Sequence, residues 1–245
     1  MMLKDKVAVI YGAGGAIGGA VARAFTAQGA TVFPTGPHLA AQVDALDERA
    51  VDDHLRSVIK EAGRVDISFN AVGIRNAAIL GVPLADLDAD QFTAPIVAYT
   101  TSYFLTARLA ARHMVAQRSG VIMTVTALHS RTGIPLVGGY GPAMAAKEAL
   151  TRHLSAELAP HGVRVVGLRP QAIPETPTIR DAFEPRAKAT GMTWEQWQEF
   201  LASRTHPRRL MTLDELADVA VFVASDNARG MTGTTVNLTM GSLDD

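Results

Sequence analysis

The chain has 245 residues, 48% hydrophobic and 19% charged, with a formal net charge of −1. That composition supports a large buried core and argues against disorder, and the near-neutral balance argues against nucleic acid or an anionic membrane as the main partner. The absence of cysteine excludes disulfides, thiolate ligands and thiol nucleophiles; we expect no metal site and a cytoplasmic setting.

In chain order, Lys4 and Lys6 precede VAVIYGAGGAIGGAVA, which superficially resembles a charged leader followed by an apolar segment. The glycines, however, are spaced for a phosphate loop, and the helical pattern continues through Arg23 and Phe25, so no signal peptide is expected. No apolar run reaches the roughly 18–20 residues of a membrane span. KVAVIY reads as a buried parallel strand, Ile17 to Gln28 as a helix, and ATVFPT as a second strand. Only eight residues separate Thr35 from Asp44, too few for a crossover helix, so this edge of the sheet is expected to be abbreviated. Glu48 to Glu61 reads as a helix, DISFNAV as a fourth strand, and Asp88 to Gln117 as one long helix or two. GVIMTVT is a strand, Pro142 to Leu158 a helix, GVRVVGLRP a strand, Leu213 to Ala224 a helix and TTVNLT the last strand. Repeated βα units of this kind predict an α/β fold with a doubly wound parallel sheet in three α/β/α layers. With no linker or repeat, residues 1–245 are expected to form a single domain.

Y-G-A-G-G-A-I-G lies between the first strand and the first helix, the context a dinucleotide fingerprint requires. Gly12 permits the tight turn, Gly14 and Gly15 let backbone N–H groups approach a pyrophosphate, Ile17 opens the helix, and Gly18 allows close packing on the sheet. The cofactor expected is NAD(P)(H). TGPHL, after the second strand, offers neither the acid of an NAD site nor the arginine of an NADP site, so both remain open.

Over essentially its full length the sequence resembles the short-chain dehydrogenases/reductases. The resemblance rests on YGAGGAIG, VDALD, RVDISFNAVG, GVIMTVT, the Tyr140 region, ELAPHGVRVVGLRP and the tail ELADVAVFVASDNARGMTGTTVNL. It implies a Rossmann-type fold, a small-molecule substrate, and assembly as a homodimer or homotetramer. By the resemblance, Asp44 falls where the family's aspartate contacts the adenine amino group. Asn70 and Gly73 match two positions of the family's N-N-A-G, and Tyr140 matches its proton-transferring tyrosine. The family serine position reads Ala127, the lysine position Met144 and the asparagine position Tyr99; the P-G after the sixth strand reads Pro170-Gln171.

Those departures leave an incomplete catalytic set. An unassisted tyrosine has a pKa near ~10, so Tyr140 suits proton donation in carbonyl reduction better than proton abstraction in alcohol oxidation. His129 reads either as an acid or base near pH 7 or as a solvated loop histidine. Tyr99 reads either as space-filling or as a hydroxyl donor. Lys147, seven residues beyond Tyr140, reads either as a substitute for the missing lysine or as a surface or interface lysine; at about 10 Å along the helix its side chain does not comfortably reach the tyrosine, which favours the second. Arg75 reads as a surface arginine or a clamp for an anionic substrate. Phe183, Trp194, Trp197 and Phe200, within 177–205, suggest an amphipathic segment covering the substrate. Three functions fit: an NAD(P)H-dependent reductase of a small carbonyl compound, a non-redox dehydratase, isomerase or cyclase on the same scaffold, or a non-catalytic subunit.

Overall fold

A computed structural model describes residues 1–74 and 79–244. Six parallel strands form one sheet in the order β2-β1-β3-β4-β5-β6: β1 Val7–Tyr11, β2 Thr31–Thr35, β3 Ile67–Asn70, β4 Gly120–Val125, β5 Val163–Pro170 and β6 Thr234–Leu238. DISFNAV therefore supplies the third strand, not the fourth. The short stretch after Thr35 makes only an isolated bridge from Thr35 to Ala41, so the sheet ends at β2.

β1 shows why both faces are covered. Its residues alternate, as a strand's must, with Ala8 and Ile10 packing on one side and Val7, Val9 and Tyr11 on the other. Helices α1 (Ala16–Ala27) and α7 (Leu213–Ala224) cover the first side through Val21, Phe25, Leu216 and Val221. Helices α2 (Glu48–Ala62), α3 (Ala89–Gln117) and α4 (Tyr140–Leu158) cover the second through Leu55, Tyr103, Leu109 and Leu154. The termini follow local chemistry: Asp47 caps α2 by accepting from the backbone of Arg49 and Ala50, and Thr212 with Glu215 forms a capping box on α7.

Ala89–Gln117 forms one continuous helix after the Asp88 cap, despite Pro95 inside it. Helix α4 begins at Tyr140, two residues before the expected Pro142, because Gly139 serves as its N-cap. A side chain on Gly139 would collide with the carbonyl of Phe92 on α3, so this glycine sets how closely the start of α4 meets α3. Residues 177–205 hold two more helices, α5 (Pro177–Ala189) and α6 (Trp194–Ser203). The chain reverses its direction of strand addition between β1 and β3, and in such sheets ligands bind beyond the carboxyl ends of the strands at that point.

Candidate active site

The phosphate loop lies beyond the carboxyl end of β1. Gly12 has φ +80°, and a Cβ there would lie 2.6 Å from the Ala71 carbonyl oxygen, so only glycine lets this turn pass the end of β3. A Cβ on Gly14 would meet nothing within 4 Å; its face is open. Gly15 is the N-cap of α1 and has no side-chain cap, leaving first-turn N–H groups available to an anion. Gly18 is buried against Gly12 and Ala13, and Ile17 packs partly into the core beneath. An open glycine cradle at an uncapped helix N-terminus fits the pyrophosphate of a nicotinamide dinucleotide.

The other expected cofactor positions sit differently. Asp44 is exposed, and its Oδ1 accepts from Leu46 N at 2.9 Å, bracing the turn that leads to α2. Gly73 is exposed with open space around it. Asn70 is turned into the protein: its amide donates to Thr106 Oγ1 on α3 at 3.1 Å, tying β3 to that helix. Arg75 lies outside the described residues.

Tyr140, the first residue of α4, stands at the hub of an aromatic cluster. Its ring is 5.7 Å from that of Tyr99 and 5.2 Å from that of His129, both edge-on. Ala127, Ala143 and Met144 pack with Tyr140 and Tyr99 into a small apolar cluster. Burial, with a smaller contribution from neighbouring Tyr99, pushes the Tyr140 phenol well above its ordinary value. The phenol therefore stays protonated through the physiological range. The Tyr99 hydroxyl accepts from Ile74 N at 3.3 Å, holding the chain just after β3.

His129 is not a solvated loop residue. It is 8% exposed in a 3-10 turn, Leu128–Ser130, that follows β4. Its ring stacks on Phe183 of α5 at 6.4 Å, and its Nδ1 is buried without a hydrogen-bond partner among the described residues. Burial and the nearby Arg186 charge push its pKa down to about 3, so it is neutral at pH 7. A neutral imidazole still carries one N–H donor and one acceptor.

Lys147 also departs from expectation. It is 1% exposed; its Nζ donates to the Val125 carbonyl at 2.8 Å and lies 5.7 and 5.6 Å from the ring centroids of Tyr99 and Tyr103. Burial brings its pKa down to about 7. The side chain anchors the end of β4 rather than lying on a surface or at an interface.

A buried ion pair braces the His129 turn. Arg169, at the end of β5, grips Glu148 of α4 through Nε at 2.7 Å and a terminal nitrogen at 2.9 Å. Glu148 Oε1 also accepts from Ser130 at 2.6 Å and Thr126 at 3.0 Å. Burial alone would raise this carboxyl, but Arg169 and the two hydroxyls outweigh it and hold it below the usual carboxylate range. Sequence reading missed this cluster: nothing in local spacing joins a carboxylate on a helix to an arginine 21 residues later on a strand.

Aromatic contacts continue outward from His129 through Phe183, Trp197 and Phe200. Segment 177–205 thus lies directly against the His129 turn. Trp194 is not part of that chain of ring contacts.

The chain matches a family model described as enoyl-(acyl carrier protein) reductase over residues 12–242. It is 30% identical over 242 residues to dehydrogenase/reductase SDR family member 6 of Aquarana catesbeiana, covering 94% of each chain. It is 29% identical over 258 residues to the uncharacterized oxidoreductase YxjF of Bacillus subtilis (strain 168), covering 98% of each. The fold superposes on that of an NAD+-bound xylitol dehydrogenase with a TM-score of 0.87, at 24% identity over 96% of this chain and 98% of the other. With glycine loop, sheet order and Tyr140 in place, the chain belongs to the short-chain dehydrogenase/reductase family and is an NAD(P)-dependent oxidoreductase.

Proposed function

We propose that the protein is a carbonyl reductase of a small molecule, with Tyr140 as proton donor. The observation that carries this reading is the packing of the half-buried Tyr140 against Tyr99, Ala127, Ala143 and Met144, which favours its neutral phenol. A neutral phenol is an acid and a poor base, so the site is built for the direction that consumes a proton. A reduced nicotinamide held at the glycine loop would supply the hydride for the carbonyl carbon. Tyr140 then gives its hydroxyl proton to the oxygen that becomes the alcohol. His129, neutral and in ring contact with Tyr140, supplies the second polar contact to that oxygen, a role Ala127 cannot fill. Tyr99 steadies the chain after β3, and α5 and α6 exclude water above the aromatic cluster.

Gly12, Gly14, Gly15, Ile17 and Gly18 form the pyrophosphate end of the cofactor site, with Asp44 and Gly73 at its margins and Asn70 supporting β3 from inside. Met144 makes no hydrogen bond to the nicotinamide ribose, so cofactor binding is weaker than a lysine at that position would give. The test is oxidation of NADH and of NADPH across a panel of aldehydes and ketones, against the reverse reaction with the matching alcohols. The reading requires reduction to be the faster direction at pH 7; faster alcohol oxidation, or product formed without nicotinamide, would refute it.

The chain further assembles as a homodimer or homotetramer through α3 and α4. Val97 and Phe104, 59% and 41% exposed, lie seven residues apart on α3 and leave an apolar stripe uncovered. Light scattering at micromolar concentration reports this; a monomer mass would refute it.

A further inference from the structure

Arg186 lies on α5, three residues after Phe183, and is only 7% exposed. Its guanidinium sits 5.5 Å from the Phe183 ring and 5.3 Å from that of Trp197. Among the described side chains of α5, Glu184 pairs with Arg180 and Lys188. Arg186 forms no ion pair or hydrogen bond with any described residue. Aromatic faces attract a cation, but they do not satisfy a guanidinium's five N–H donors. The residue is largely covered, yet none of its nitrogens is among the fully buried unpartnered atoms, so the fork is open to an anion arriving from solvent.

Its surroundings carry other unfilled polar positions. Trp197 Nε1 and His129 Nδ1 are both buried without partners among the described residues. Phe183 lies between them, stacked on His129 and tilted against Trp197. His129 in turn meets Tyr140. One continuous aromatic layer therefore runs from the proposed proton donor to Arg186, and Arg186 is close enough for its charge to act on the His129 ring.

We propose that Arg186 is the substrate's anion receptor: the carbonyl compound reduced at Tyr140 carries an oxyanion group, carboxylate or phosphate, that the Arg186 fork grips between Phe183 and Trp197. This rests on the reductase reading for what is reduced, but not for what is bound. A planar guanidinium suits either anion, because two parallel N–H groups match two oxygens in both. The sequence carries the signal only as Phe183 and Arg186 one helical turn apart, which does not tell a surface cation from a receptor.

Binding can be read without turnover. The chain has two tryptophans, so Trp194→Phe leaves Trp197, the residue Arg186 touches, as the sole tryptophan, excited selectively at wavelengths the tyrosines do not absorb. Sodium acetate and inorganic phosphate are titrated into that protein at ionic strength fixed with chloride, with neutral acetamide as control. The proposal expects a saturable Trp197 response to at least one anion and none to acetamide; the tighter anion identifies the group. Arg186→Gln should weaken that response about tenfold or more, and Arg186→Lys, which keeps charge but loses the fork, by less. Circular dichroism and NADH binding check that each variant is folded, and Arg186→Lys decides the matter if Arg186→Gln is not. No saturable anion response, an equal response to acetamide, or unchanged anion affinity in a folded Arg186 variant would overturn the proposal. Loss of carbonyl reduction with anion binding intact would instead count against the reductase reading alone.

Discussion

Glu148→Gln tests whether the buried cluster behind the His129 turn is as important as its geometry implies. The substitution keeps size and removes charge. Glu148 and Arg169 are 2% and 3% exposed, and the carboxylate takes two bonds from Arg169 and one each from Ser130 and Thr126. Removing one partner of such a pair typically costs about 3–5 kcal/mol, because the remaining charge stays buried without its counter-ion. For a chain of this size that corresponds to a fall in Tm of roughly 6–20 °C. The assay is equilibrium urea unfolding and a thermal melt at one fixed protein concentration, since assembly would shift both. Replacing both partners, as Glu148→Gln with Arg169→Met, should recover much of the loss, because the pair's net worth is smaller than the cost of breaking it. A loss below about 1 kcal/mol in Glu148→Gln, or a double variant as poor as the sum of the singles, would refute the reasoning.

Other outcomes follow from the same geometry. The folded-state pKa of Glu148 lies below its unfolded value, so its contribution is present above the unfolded carboxylate range and is lost as pH falls through the folded value; acid unfolding of Glu148→Gln should be shallower than that of the parent. Lys147 has a folded pKa of about 7 against ~10.4 unfolded, so the unfolded chain holds more protons between those values and stability rises with pH across that window. Lys147→Met should abolish that rise, as urea unfolding at pH 7 and pH 10 would show. Met144→Lys should tighten NADH or NADPH binding by up to about a hundredfold, an effect of about 1–3 kcal/mol readable by calorimetry. Tyr140→Phe combined with His129→Ala should reduce carbonyl turnover no further than the poorer single variant, because the two serve one oxygen.

Much of the scaffold was legible because it is written in local periods. The β-branched run of β1 and the glycines after it each act within a few residues. The strand count was not. DISFNAV reads as a fourth strand, yet the stretch after Thr35 makes only the isolated bridge to Ala41, so no strand stands between β2 and DISFNAV in chain order. In the site, Tyr140 was readable from position, while its environment was not. His129 reads as either an acid–base group or a solvated loop residue until α5 lays Phe183 over it, and Lys147 reads as a surface or interface lysine until its Nζ is seen beside the rings of Tyr99 and Tyr103. These are tertiary facts, and each reverses the apparent chemistry of a side chain by burying it.

The central claim is that a neutral Tyr140 gives the proton in carbonyl reduction. The most direct measurement is single-turnover oxidation of bound NAD(P)H by an accepted carbonyl substrate, compared between the parent and Tyr140→Phe, with cofactor affinity measured alongside. The account predicts a rate lower by roughly 10²–10⁴ with cofactor affinity and fold unchanged. An undiminished rate in Tyr140→Phe would contradict it.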